Sequence, residues 1–127
     1  MVEFAIFLIF GLEAKHFVAD YLLQSPWMIG GKGDIRMAGG YVHAAIHVLG
    51  TFLVLMAFSV SITVILAVCV VEFAVHYAID FGKEHTSKDI SAKGQPRRFW
   101  ALNGLDQFFH HTTYITMTYV LVKFIEI

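Results

Sequence analysis

The sequence contains four pairs of histidine and aspartate residues whose members are four positions apart. The pairs are His16 and Asp20, His43 and His47, His76 and Asp80, and Asp106 and His110. Residues four positions apart lie on the same face of an α-helix, one turn from each other. If each pair lies on its own helix, four packed helices bring all eight side chains into one polar site. The alternative pair Gln107 and His111 lies about 100° further around the last helix, so the two pairs do not easily serve the same centre. Asp106 and His110 are favoured because Asp is a better metal ligand than Gln.

The residue types in these pairs are those that bind transition metals. Imidazole nitrogens and carboxylate oxygens are ligands of Zn²⁺, and they also suit Mn²⁺ and Fe²⁺. A helix-bundle core is a common place for such a centre, although the Glu-x-x-His spacing of ferritin-type di-iron sites is absent here. We predict a divalent metal site, with zinc as the preferred ion, in which the eight residues hold one metal or two. The alternative is a metal-free network of salt bridges and hydrogen bonds, or a path for protons or ions.

A metal with an open coordination position would give this site hydrolytic chemistry. Such a metal lowers the pKa of its bound water, and a nearby carboxylate can act as general base. The candidate catalytic residues are Asp20, Asp80 and Asp106. The candidate substrate-binding residues are Gln24, Lys83 and Gln107. For Lys83, an ion pair with Asp80 three positions earlier is the alternative interpretation.

The composition indicates a membrane protein with one domain over residues 1–127. Hydrophobic residues make up 57 % of the chain and charged residues 15 %, which is too apolar for a water-soluble domain of this size. The net charge of −1 provides no basic surface, so no nucleic-acid partner is expected. We predict an all-α fold, namely a membrane-embedded four-helix bundle surrounded by the lipid bilayer.

Four membrane spans are predicted at about 2–24, 41–58, 61–82 and 99–124. Ser25-Pro26 ends the first span, and a glycine-containing loop of about 14 residues follows it. Residues 41–82 would measure about 63 Å as one helix, so the chain must reverse near Phe58-Ser59-Val60-Ser61. The charged segment 83–98 is predicted to be a loop.

All four pairs are expected at one end of the bundle. In antiparallel helices, the first and third pairs lie near C-terminal ends, and the second and fourth lie near N-terminal ends. The connections at this end carry Lys32, Arg36, Lys83, Lys88, Lys93, Arg97 and Arg98. The positive-inside rule therefore predicts that the site lies on the cytoplasmic side of a bacterial inner membrane and that both termini lie outside. The same basic residues could bind a phosphate or a lipid headgroup.

Four segments of the chain carry a family resemblance. HFVADYLLQSPWM, YVHAAIHVL, HYAIDFGK and LDQFFHH together resemble a family of small bacterial and phage membrane proteins that is classed as a domain of unknown function. Its pattern is H-x3-D-x3-Q, a His-containing second span, H-x3-D-x2-K and D-Q-x2-H. The resemblance covers most of the chain and implies a shared site without implying a reaction.

Two functions are compatible with these features. The first is a metal-dependent membrane hydrolase that acts on a lipid or on a lipid-linked phosphate or ester. The second is a non-catalytic protein, either a transporter or channel subunit or a membrane assembly partner, in which the polar cluster is structural or conducts ions. Four helices are few for alternating access, so the transporter interpretation requires a homo-oligomer.

Overall fold

The chain forms an all-α fold, as predicted. The computed structural model describes residues 1–124, and the last three residues of the predicted domain 1–127 lie outside this range. Its elements are helix α1 (Val2–Phe17), a π turn (Val18–Leu23), and helices α2 (Pro26–Gly31), α3 (Ala38–Ala57), α4 (Ile62–Ser87) and α5 (Pro96–Phe124). The four long helices thus correspond to the four predicted spans.

The long helices form an antiparallel four-helix bundle. Helix α1 packs against α3 and α5, and α4 packs against the same two helices from the opposite side. Phe4 near the start of α1 contacts Phe58 just after the end of α3, with ring centroids 5.2 Å apart. At the other end of α1, His16 contacts His47 in the first half of α3. One end of the bundle therefore contains the C-terminal parts of α1 and α4 together with the N-terminal parts of α3 and α5.

Two connections are more helical than the sequence predicts. Helix α4 continues to Ser87 instead of ending at 82, because Lys83 and Glu84 have high helix propensity. Helix α5 begins at Pro96, since proline is favoured at the first helical position and its missing N–H needs no partner there. Within the predicted loop after Ser25, the short helix α2 forms, and the Ser25 hydroxyl accepts a hydrogen bond from the Met28 N–H.

The reversal between α3 and α4 occurs where it is predicted. Helix α3 ends at Ala57, and Ser59 adopts a left-handed conformation with φ of 57°. Nearby, an apolar core fills the end of the bundle away from the His/Asp pairs. Its fully buried members include Leu8, Leu12, Leu55, Ile65 and Leu121. This core holds the four helices in register and so fixes the relative heights of the polar pairs.

Glycine residues allow α2 to pack directly on the start of α3. A Cβ atom at Gly39 would lie 2.6 Å from the backbone oxygen of Trp27, and one at Gly31 would lie 2.8 Å from the Cα of Gly39. Side chains at either position would force the two helices apart. This close contact places Lys32, directly after α2, against the polar end of the bundle.

The surface of the bundle is strongly apolar. Large side chains such as Phe10 (71 % exposed) and Val70 (72 % exposed) point outward, whereas several histidines lie inside. Among the described residues, α3 and α4 are the two helices that are long and apolar enough to cross a membrane. By length and composition, these two helices are candidate membrane spans.

Candidate metal centre

Each long helix contributes one predicted pair to a single cluster. The rings of His43 and His47 on α3 are completely buried, and those of His16, His76 and His110 are 2 % exposed. On α1 the pair spans the change from α-helix to π turn, and Asp20 lies within that turn. A π turn is wider than an α turn and often occurs at functional sites. Here it presents the Asp20 carboxylate to histidines on α3.

Asp20 forms the centre of one half of the cluster. Its Oδ1 atom lies 3.0 Å from Nε2 of His47 and 3.2 Å from Nε2 of His43. Its Oδ2 atom lies 3.3 Å from Nε2 of His16. One carboxylate therefore meets three imidazole nitrogens, which come from α1 and α3.

Asp80 forms the centre of the other half. Its Oδ1 atom lies 3.2 Å from Nε2 of His110 on α5, and its Oδ2 atom lies 3.4 Å from Nε2 of both His76 and His43. Asp106 reaches the same group from α5, with its Oδ1 atom 3.5 Å from Nε2 of His110. All eight predicted metal ligands thus converge on one centre.

The spacing of these atoms matches that of metal ligands. Two ligand atoms about 2.0–2.1 Å from one Zn²⁺ at the tetrahedral angle lie about 3.3–3.4 Å apart. The nitrogen–oxygen distances around Asp20 and Asp80 are 3.0–3.4 Å. Three sets, each with three ligand atoms within 4.8 Å of one another, could hold a metal ion. They are His43, His47 and His76; His16, Asp20 and His47; and His76, Asp80 and His110.

Several close approaches in the centre are not hydrogen bonds. The distance is 3.2 Å from His43 Nε2 to Asp20 Oδ1 and 3.4 Å from His76 Nε2 to Asp80 Oδ2. Asp80 Oδ2 also lies 3.0 Å from Lys32 Nζ. Nevertheless, within the described chain the buried atoms His43 Nε2, His76 Nε2 and Asp80 Oδ2 make no hydrogen bond, because the angles are unsuitable. Buried polar groups without partners are costly. A cation is a partner that unprotonated imidazole nitrogens and a carboxylate oxygen can share, since each has a lone pair to donate.

Lys32 provides a positive charge beside Asp80. Its Nζ atom lies 3.0 Å from Asp80 Oδ2, and the residue is 7 % exposed. The sequence places Lys32 among the basic residues at this end of the bundle but does not predict this ion pair. Lys83 instead pairs with its neighbour Glu84, at 2.6 Å. The lysine that pairs with Asp80 is therefore Lys32, and not Lys83 as the alternative interpretation predicts.

The two predicted substrate-binding glutamines occupy different places. Gln107 belongs to the centre, because its Oε1 atom lies 3.2 Å from His16 Nε2 and its side-chain nitrogen donates to Asp106. The Gln24 side chain instead donates to the backbone oxygen of Asp20, 3.1 Å away, and supports the end of the π turn. His111, which is not favoured as a ligand, lies 2.6 Å from Glu13.

A second buried cluster, which the spacing of the pairs does not predict, supports two of the histidines. Lys15 donates hydrogen bonds to Glu72, to the Tyr114 hydroxyl and to the backbone oxygen of His47. The Tyr114 oxygen lies 3.4 Å from Nδ1 of both His16 and His47. We call Lys15, Glu72 and Tyr114 the supporting cluster. Glu72 lies four positions before His76 and eight before Asp80, on the same face of α4. This spacing is the sequence signal that predicts a buried Glu72.

At the basic end of the bundle, Arg36 forms an ion pair with Asp34. Arg36 donates hydrogen bonds to Asp34 through its side chain and backbone. These hydrogen bonds lower the pKa of Asp34 to about 2. Arg36 is thereby engaged, and Lys32 is the lysine that contacts the centre directly.

The fold and the site define an all-α protein with a buried His/Asp cluster that could hold a metal. The chain belongs to a family described as proteins of unknown function (DUF3307), whose model matches residues 6–126. This confirms the predicted membership of an unknown-function family. Neither the curated proteins nor the solved structures contain a significant match.

Proposed function

We propose that this protein is an integral membrane metalloprotein whose His/Asp centre binds Zn²⁺ and activates water for hydrolysis. The convergence of five imidazole Nε2 atoms on the buried Asp80 and the largely buried Asp20 carries the proposal. Nitrogen-rich ligand sets favour zinc over Mg²⁺ or Ca²⁺, while Mn²⁺ and Fe²⁺ also fit imidazole with carboxylate. A bound cation would offset the cost of burying Asp80, and of largely burying Asp20 and Asp106, among apolar helices.

The distribution of polarity supports membrane insertion. The bundle is apolar outside and contains buried His, Glu and Lys side chains inside, which is the arrangement expected for a protein whose solvent is lipid. Helices α3 and α4 have the length and composition of spans. With α1 and α5 as further spans, the positive-inside rule applied to the basic connections supports a cytoplasmic location of the metal end, in a bacterial inner membrane.

The substrate class follows from the surroundings of the centre. Lys32 contacts Asp80 and can turn to an anionic group when a metal engages that carboxylate. The apolar outer surface gives a lipid direct access to the bundle. We therefore propose a lipid or a lipid-linked phosphate or ester as substrate, with Gln107 as a polar contact and an aspartate as the general base.

Metal analysis of the detergent-purified protein tests this function. Wild type is expected to retain zinc through gel filtration, while Asp80→Asn and His47→Gln should each lose at least one equivalent. The exposed variant Asp34→Asn is the matched control and should bind as wild type does. A metal-free wild type that does not take up added Zn²⁺, Mn²⁺ or Fe²⁺ would overturn the proposal.

Hydrolysis is then measured with lipid phosphates and carboxylic esters in mixed micelles by release of phosphate or fatty acid. Turnover that requires metal and falls in Lys32→Met supports the enzyme. A metal-loaded protein without turnover on any of these substrates would favour the non-catalytic alternative, in which the centre is structural or belongs to a transporter or channel subunit.

A further inference from the structure

Two of the three candidate ligand sets contain an aspartate, and these two share no residue. The first consists of His16, Asp20 and His47 on α1 and α3, and the second consists of His76, Asp80 and His110 on α4 and α5. Each set has two imidazoles and one carboxylate. Each also has an His-x3-Asp pair at the C-terminal part of one helix and a histidine from the neighbouring antiparallel helix.

From this division, and resting on the proposed metal function, we infer that the protein binds two divalent cations side by side, one in each set. Two His and one Asp are a complete set of three protein ligands for a zinc ion with an open position. A single ion could engage one aspartate with its histidines, but it would leave the other buried carboxylate and its histidines without a metal. Two ions use both sets.

His43 connects the two sets. Its Nε2 atom lies 3.2 Å from Asp20 Oδ1 and 3.4 Å from Asp80 Oδ2, yet makes no hydrogen bond to any residue within 1–124. His47 and His76, from different sets, lie with their ring centroids 3.8 Å apart. The two sets are therefore adjacent, as in two-metal hydrolytic sites whose ions are about 3.5–4 Å apart.

The charge of such a centre identifies the kind of substrate. Two divalent cations exceed the three carboxylates of Asp20, Asp80 and Asp106 by one positive charge, and Lys32 adds another. The loaded centre would therefore attract an anion, and two-metal sites commonly hold phosphate esters through both ions. A phosphate-bearing headgroup fits this centre better than a neutral ester does.

Metal stoichiometry decides the number of ions. The full-length protein is loaded with Zn²⁺ in detergent, freed of excess metal and analysed by elemental mass spectrometry against protein concentration. We expect two equivalents in wild type, one in Asp20→Asn, one in Asp80→Asn and two in the control Asp34→Asn. One equivalent in wild type would overturn the inference and leave the proposed function intact, whereas none would overturn both.

Paramagnetic resonance of the wild type tests the same inference without variants, which could fail to fold. With Mn²⁺ in place of zinc, two adjacent ions should give the exchange-coupled paramagnetic resonance spectrum of a manganese pair. A spectrum of isolated ions at full occupancy would contradict adjacent sites. Addition of inorganic phosphate should change the spectrum of the pair, because the anion would meet both ions.

Discussion

At the scale of single residues, the Nε2 atoms of the histidines face the aspartates, and the groups that contact Nδ1 set the orientation of each ring. Groups that contact the nitrogen opposite the metal fix the ring orientation and the tautomer, and their loss typically lowers metal affinity about 10–100-fold. Tyr114 is such a group, because its hydroxyl lies 3.4 Å from Nδ1 of both His16 and His47. It is fully enclosed, at 1 % exposure.

Tyr114→Phe is therefore expected to lower zinc affinity roughly 10–100-fold while the bundle stays folded. Affinity is measured by competition with a chromophoric chelator. Tyr119→Phe is the matched control, since Tyr119 is exposed and its hydroxyl accepts a hydrogen bond from Lys123 rather than contacting a histidine of the centre. Equal affinities in the two variants would show that Tyr114 does not orient the ligands.

Lys15→Met should destabilise the protein by about 3–5 kcal/mol, because it leaves the buried Glu72 carboxylate without its ion-pair partner. The double variant Lys15→Met/Glu72→Leu should recover most of that loss, since it removes both charges. The free energy of unfolding in detergent is the measurement. A double variant no more stable than Lys15→Met would contradict the role of unpaired charge.

At the scale of elements, the packing of α2 on α3 determines where Lys32 lies. The two backbones approach so closely at Gly31 and Gly39 that no side chain fits between them. The short helix is thus a fixed cover at the polar end of the bundle, and it holds Lys32 against Asp80.

Gly39→Ala should therefore cost about 1–3 kcal/mol, as overpacking usually does, and should weaken the Lys32–Asp80 contact. Gly30→Ala is the control, because a Cβ atom there meets nothing within 4 Å. It should be neutral or stabilising by about 0.5–1 kcal/mol, since alanine is the better helix former. Thermal unfolding distinguishes the two, and equal stability would contradict the close packing.

At the scale of the whole molecule, the proposed membrane orientation rests on the even number of long helices and the uneven distribution of charge. Both termini of the described chain and the α3–α4 reversal lie at the apolar end, whereas the basic connections lie at the end with the metal centre. A homo-oligomer stays a prediction, as does the phage or bacterial origin of the chain.

A maleimide that does not cross the inner membrane tests this orientation in bacterial cells. In a Cys69→Ser background, Ser61→Cys should be labelled from outside, because Ser61 is exposed at the α3–α4 reversal. Ser91→Cys, in the exposed basic connection before α5, should be labelled only after the inner membrane is opened. The reverse pattern would place the metal centre on the outer side.

The sequence by itself determined the four long helices, their antiparallel order and the eight residues that meet, because helical periodicity and apolar length are local properties. Only the tertiary structure decided which partners they have. The Lys32–Asp80 pair, the π turn at Asp20 and the contact of Lys15 with Glu72 and Tyr114 all depend on the relative rotation and height of helices. These follow from packing between different helices, such as Gly31 against Gly39 and Phe4 against Phe58, which spacing along one helix does not encode.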